Sequence, residues 1–242
     1  MRNGGRTKDE GRRLQLIPHS EFRIPNSKEN PHRAYMIYFI CKMLMLILAR
    51  PYFRVKVFGR ENIPGNTPIL FISNHASYSD PPLIGMCIPG QIHYMAKKEL
   101  FATPVSAWFF RKLRCIPINR AGVDRKGIMA CRRILESGKR LLLFPEGTRT
   151  ETGEMQEIKS GAALLINDLF HVPIVPVYID GTYQAFPKGA KFPRRVPVTI
   201  RFGEPFKITQ KGVALDKKDY YKSLAILFYE KIKALKRNSD TV

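Results

Sequence analysis

Two short segments hold the residues best suited to chemistry: Asn74-His75-Ala76-Ser77-Tyr78-Ser79-Asp80 and Phe144-Pro145-Glu146-Gly147-Thr148-Arg149. In the first, a histidine and an aspartate stand five positions apart. On a regular helix that offset turns them about 140° away from each other, so they meet only where the chain bends. A strand-to-helix turn supplies such a bend. Asp80 then accepts from one imidazole nitrogen, fixes the tautomer and leaves the other nitrogen free as a base. Taken alone, the spacing more often means a surface histidine beside an aspartate that caps a helix at Pro81. In the second segment Gly147 permits close approach of backbone to a ligand. Arg149 can grip a phosphate through two parallel hydrogen bonds, which a lysine cannot do. By itself that segment is equally well an ordinary turn with an exposed ion pair.

Other cations follow other apolar runs. Arg120 closes Cys115-Ile116-Pro117-Ile118-Asn119-Arg120, and Lys97 lies in Ala96-Lys97-Lys98-Glu99-Leu100. If these runs are parallel strands, the cations gather at one end of a sheet as a positive basin. Val172-Pro173-Ile174-Val175-Pro176-Val177 reads as a strand whose two prolines predict an edge or irregular position. Four cysteines lie far apart without a C-x-x-C pair, and five histidines show no ligand spacing. Neither a metal nor any other cofactor is expected, and the thiols should be reduced, as in cytoplasm.

The elements that must position these groups follow from pattern. Asn30-Pro31 opens a helix over Ala34–Ala49, apolar nearly all round, which should stop at Arg50-Pro51. Strands are expected at Phe53–Gly59, Pro68–Asn74, Ile92–Ala96, Cys115–Ile118, Leu141–Phe144, Ile174–Ile179 and Val196–Phe202. Helices are expected from Ser79-Asp80-Pro81, from Thr103-Pro104, and over Asp124–Ser137, Ser160–Leu169 and Asp216–Leu235. The alternation means an α/β layered domain, with a central mixed, largely parallel sheet flanked by helices. Sites in such sheets lie beyond the carboxyl ends of strands. The chain divides into a basic, flexible arm (1–32), a hydrophobic membrane-associated helix (33–51) and the α/β domain (52–242).

Lys and Arg number 41 against 20 Asp and Glu in 242 residues, a formal net charge of +21. Such a charge calls for an acidic partner: nucleic acid, an anionic membrane or an acidic small substrate. No zinc finger, basic heptad region or aromatic RNP pattern supports nucleic acid. A basic arm before residues 34–49 and Arg50 behind them suit a helix lying in the bilayer interface, with cations reaching headgroups. A single span and a buried core helix are the competing readings, since a span wants about 20 apolar residues.

The order N-H-x-S-x-x-D, I-P-I-x-R, F-P-E-G-T-R, V-P-I-V-P-V, over about residues 68–181, resembles the glycerolipid acyltransferase family, in particular its 1-acyl-sn-glycerol-3-phosphate acyltransferases. The resemblance implies that 52–242 is a catalytic domain in which His75 is the base and Asp80 its orienting partner. It implies that Glu146, Gly147, Thr148, Arg149, Arg120 and Lys97 bind the acceptor phosphate. The reaction implied is transfer of an acyl chain from acyl-CoA or acyl-acyl carrier protein to the sn-2 hydroxyl of lysophosphatidic acid, giving phosphatidic acid in phospholipid biosynthesis. Ser77, Ser79 and Cys115 become poor candidates for a covalent nucleophile, because His75 has an orienter and an external alcohol to activate. The expected location is the cytoplasmic face of a membrane, monotopic rather than single-pass, with no nucleic-acid partner. An acceptor of glycerol-3-phosphate or another lysolipid would use the same motifs; a non-catalytic membrane-surface or nucleic-acid-binding protein would need neither. Arg114 stands where the family often has glycine, Asn119 where it often has aspartate and Thr150 where serine is frequent.

Overall fold

Runs without a polar face must be covered on both sides, and Ile69–Ser73 is buried at every position. In the computed structural model, which describes residues 31–65, 68–119, 124–159, 161–166, 169–208 and 216–236, this run lies at the centre of a sheet. The strands are β1 (Lys56–Phe58), β2 (Ile69–Ser73), β3 (His93–Lys97), β4 (Cys115–Ile118), β5 (Arg140–Leu143), β6 (Ile174–Asp180) and β7 (Thr199–Phe202). Among the described residues they form one seven-stranded sheet in the order β1-β7-β6-β2-β5-β3-β4. Strands β2 to β6 all run the same way, β7 runs antiparallel to β6, and β1 is parallel to β7. The sheet is mixed and largely parallel, as the alternation predicted.

The helices are α1 (Pro31–Leu44), α2 (Arg50–Tyr52), α3 (Asp80–Cys87), α4 (Pro104–Lys112), α5 (Arg125–Glu136), α6 (Gly161–Ile166), α7 (Thr182–Ala185) and α8 (Lys217–Lys233). Strand periodicity divides the core between them. Leu70 and Ile72 of β2 face one layer, where residues of α5, α6 and α8 pack. Ile69 and Phe71 face the other, against α3 and the N-terminal helix. Local signals set the ends. The Asp124 side chain accepts from Gly127 N–H at 2.9 Å to start α5, which stops before Gly138 at φ 76°.

Several boundaries differ from expectation for physical reasons. The N-terminal helix does not stop at Arg50-Pro51. Met45–Ala49 widen into a π turn, in which Arg50 N–H bonds to Met45 O, and α2 continues to Tyr52. A proline lacks the N–H that a regular turn would use and crowds the carbonyl four residues back; the wider turn carries the helix past it. The Asn30 cap and the basic arm through residue 30 lie outside the described residues. Strand β1 is shorter than Phe53–Gly59 because Arg54 turns the chain at φ 45°. Strand β6 is not at an edge; it lies between β7 and β2. Its Pro176 sits where the register slips by one residue, between the Val177–Phe202 and Ile174–Phe206 pairs, so the missing N–H breaks no ladder rung.

The helix of α1, the π turn and α2 is not buried all round either. Tyr38 and Ala49 are buried, and the helix packs against α3 and α4. Tyr38 Oη accepts from Ile92 N–H at 3.1 Å, while Lys42 Nζ donates to Gly90 O at 2.9 Å and to Ile88 O. Met36, Phe39, Ile40, Met43, Leu44, Ile47 and Leu48 point outward at helical spacing. Residues Tyr35–Tyr52 are apolar enough and long enough to cross a membrane, with a mean hydropathy of 1.3.

Candidate active site

β2, β3, β5 and β6 end at the same edge of the sheet, and there the segments after β2 and β5 bond to each other. Asn74, the first residue beyond β2, reaches sideways to β6. Its Nδ2 donates to Ile179 O at 2.8 Å, and its Oδ1 accepts from Ile179 N–H at 2.8 Å. The side chain adds a rung to the β2–β6 ladder and fixes where His75 leaves the sheet.

The bend required between His75 and Asp80 is present, and one oxygen makes it. Asp80 Oδ2 lies 2.9 Å from His75 Nδ1 and accepts from Ala76 N–H and Ser77 N–H, both at 2.7 Å. Backbone donors on that oxygen mean that Nδ1 is a donor as well, so in the neutral ring Nε2 is the nitrogen that can act as a base. Asp80 is fully buried and opens α3, with its three donors gathered on one oxygen. The imidazole also stacks on Phe144, with ring centroids 4.1 Å apart and 23° between planes.

The Glu146–Arg149 turn follows β5. Gly147 N–H donates to Phe144 O at 3.0 Å, and Gly147 adopts φ 74°. A Cβ there would stand 3.1 Å from Lys159 Cδ, so the lysine side chain lies across the glycine. Thr148 is exposed. The Arg149 guanidinium lies 3.4 Å over the Tyr78 ring, and its Nη1 is buried with no hydrogen-bond partner. Arginine and histidine segments therefore meet through Tyr78.

Glu146 is placed differently from a phosphate contact. It is 1% exposed; its Oε1 accepts from His75 N–H at 2.7 Å and its Oε2 from Gln156 N–H at 2.8 Å. Burial pushes this carboxyl up to about 7, against the pull of the two donors. With both oxygens turned inward it braces the loop, and a carboxylate there would repel a phosphate rather than hold it. Thr150 N–H donates to His75 O at 2.9 Å. Both backbone groups of His75 are thus clasped by the segment around the E-G-T-R turn.

Lys97 ends β3 in solvent, 3.4 Å from Glu99 Oε1. Arg120 lies outside the described residues; Asn119, just before it, donates its N–H to Asp124 Oδ2 at 2.7 Å. The candidate nucleophiles are poorly placed for that task. Ser77 Oγ donates to Phe186 O at 2.7 Å and lies 2.9 Å from Ser79 Oγ. Burial pushes the Cys115 thiol up to about 12. Beside Phe144 opens a cavity of about 1180 Å³, lined by Met95, Ile118, Leu143, Met155 and Ile158 together with Lys159, Lys218 and Lys222. Asn74, Tyr78, Phe144 and Lys159 were not singled out from sequence. An amide at a strand end is a recognisable signal; a ring platform and a lysine brought back across a glycine have none.

The sequence profile of the family described as Acyltransferase matches residues 54–180, which include both segments just described. A 1-acyl-sn-glycerol-3-phosphate acyltransferase of Bacillus subtilis (strain 168) is 30% identical over 188 residues, covering 77% of this chain and 90% of that one. The chloroplastic 1-acyl-sn-glycerol-3-phosphate acyltransferase LPAT1 of Arabidopsis thaliana is 27% identical over 167 residues, 67% of this chain and 46% of its own. The chain thus spans about half the length of that plant relative. The crystal structure of the 1-acyl-sn-glycerophosphate (LPA) acyltransferase PlsC from Thermotoga maritima superposes with a TM-score of 0.68 at 25% identity, covering 88% of this chain and 86% of that one. With its histidine–aspartate pair and clasping turn inside a match that takes in more than half of the sequence, this chain belongs to the acyltransferase family.

Proposed function

We propose that this acyltransferase acylates the sn-2 hydroxyl of lysophosphatidic acid from an acyl thioester, giving phosphatidic acid. The observation that carries the reading is the 2.9 Å contact of His75 Nδ1 with Asp80, made beside an arginine whose buried Nη1 has no partner. His75 Nε2 takes the hydroxyl proton as that oxygen attacks the thioester carbonyl. The tetrahedral centre collapses, the C–S bond breaks, and the imidazolium returns its proton to the departing thiolate. General-base help of this kind is typically worth about 10²–10⁴ in rate. Asp80 stabilises the imidazolium while it lasts.

Arg149 grips the acceptor phosphate, and Lys97 adds positive charge at the same edge of the sheet; Arg120 has the same role by the motif it closes. Holding the phosphate fixes the hydroxyl near the base, and such positioning contributes several kcal/mol, up to about 7–11 in the best intramolecular cases. The apolar cavity beside Phe144 receives an acyl chain, and the donor is acyl-CoA or acyl-acyl carrier protein. The names of the relatives support this acceptor and this reaction.

The N-terminal helix supports a monotopic attachment to an anionic membrane surface. One face is tied to the body through Tyr38 and Lys42, while the other presents a continuous apolar stripe. A helix crossing the bilayer would have to leave those contacts behind. The direct test is incubation with lysophosphatidic acid and a labelled acyl thioester. Labelled phosphatidic acid from the wild type and none from His75→Ala, with fold retained, is the expected result. Near-normal turnover of that variant would refute the base assignment.

A further inference from the structure

A second apolar face lies on α4, a separate helix from the one that carries the N-terminal stripe. Val105, Trp108 and Phe109 stand at i, i+3 and i+4 on one side of this helix, with exposures of 76%, 49% and 40%. Trp108 is the only tryptophan in the chain. A soluble surface rarely displays such a cluster without a partner. Its neighbours are cationic: Lys98 and Arg111 are both exposed. Aromatic side chains flanked by Lys and Arg match a bilayer interface, where the ring sits among headgroups and the cations meet lipid phosphates. The patch also adjoins the other apolar surface, because α4 packs against α1.

We propose that α4 is a second lipid-binding element, which dips Val105, Trp108 and Phe109 into an anionic bilayer beside the N-terminal helix. It extends the membrane reading given above and rests on it. Its position gives it a task. It follows β3 after one 3-10 turn (Lys98–Phe101), and the end of β3 lies at the same edge of the sheet as His75. Two contacts, one at each helix, fix a tilt that one helix alone leaves free, and so set the cleft mouth against the surface from which a lipid acceptor arrives.

The lone tryptophan reports on this directly. Vesicles of phosphatidylcholine and phosphatidylglycerol, with and without brominated acyl chains, are added to the full chain. Trp108 emission should move to shorter wavelength and be quenched by the brominated lipid, less so with phosphatidylcholine alone. Val105→Asp combined with Phe109→Asp should remove the quenching and weaken vesicle sedimentation roughly tenfold or more. Neither residue is part of the catalytic machinery, so turnover on detergent-dispersed substrate should persist. If the chain sediments with vesicles while Trp108 stays unshifted and unquenched, α4 faces water; the proposal is then overturned and the N-terminal attachment stands. If the chain does not sediment at all, both fall. A shift caused by acyl carrier protein and not by vesicles would make α4 a protein-docking face and overturn the lipid assignment.

Discussion

Replacing Asp80 by asparagine separates the two things its carboxylate does. Oδ2 accepts three hydrogen bonds, from His75 Nδ1, Ala76 N–H and Ser77 N–H, while Oδ1 is buried without a partner. An asparagine amide can enter in only one orientation. Its oxygen must take the Oδ2 position, because the opposite flip sets an NH2 against backbone donors. The histidine therefore keeps its tautomer and its place, and only the negative charge is lost. A hydrogen bond to a charged group is worth about 1.5–3 kcal/mol and a neutral one about 0.5–1.5. The imidazolium formed during transfer thus loses about 1–2 kcal/mol of stabilisation, which lowers kcat roughly 5- to 30-fold. Enforcing the wrong tautomer would cost about 10⁴-fold instead. Steady-state kinetics with labelled thioester measures kcat, and thermal unfolding checks that Asp80→Asn melts near the wild type. A loss beyond about a thousandfold with the fold intact would mean that the amide had flipped. An unchanged kcat would mean that the charge plays no part in the reaction.

Other outcomes follow from the same geometry. Arg149→Lys removes both the forked grip and the stacking on Tyr78, so KM for lysophosphatidic acid should rise roughly tenfold with a smaller change in kcat; a flat KM would mean that Arg149 faces something other than the phosphate. Glu146 titrates at about 7 in the fold against an ordinary 4.5, so the fold favours its neutral form, and stability should fall as pH rises from about 4.5 through 7, by about 3 kcal/mol in all. His93, held by burial at about 4, gives the opposite slope over much of the same range in both proteins, so urea midpoints of wild type and Glu146→Gln are compared at each pH, and the stability of the wild type relative to the variant should fall as pH rises. Arg114 sits at φ 62°, a region that costs a side chain about 1–3 kcal/mol, so Arg114→Gly should raise stability by about 0.5–1 kcal/mol after allowing for glycine's greater freedom when unfolded; a lower urea midpoint would show that the arginine side chain outweighs the strain.

Arg114 also shows how a sequence comparison becomes physics. It was visible only as a departure from a common glycine; the left-handed backbone explains why glycine is common there. The sheet and its two helical layers were legible because β2, β5 and β6 are apolar runs with little polar interruption, which parallel strands require. The interior place of β6 was not. Proline normally marks an edge, and only the register slip at Pro176 shows how a central strand tolerates it. His75 and Asp80 were legible as a pair through the resemblance, since their spacing alone more often marks a surface histidine beside a helix cap; the spacing added only that a bend must bring them together. The inward turn of Glu146 was hidden. It depends on the backbone of His75, in the loop after a different strand, and a carboxylate in a motif matched to phosphate binding looks like a ligand group until its burial is seen.

The two buried acids of the site illustrate how environment divides labour between like groups. Asp80 and Glu146 approach His75 from opposite sides, one at the ring and one at the backbone N–H. Asp80 has three donors on one oxygen at a helix start. Glu146 has one donor on each oxygen, and burial, with a smaller push from the Asp80 charge, raises it to about 7. Near neutral pH Glu146 is therefore only partly ionised. That matters for an enzyme proposed to receive an acceptor bearing a phosphate dianion, because each extra negative charge under the imidazole would oppose the grip of Arg149. The arrangement keeps the anion where the imidazolium needs it. At the brace, where only two N–H groups have to be held, a carboxyl close to neutrality serves, since its two oxygens still offer acceptor lone pairs when protonated.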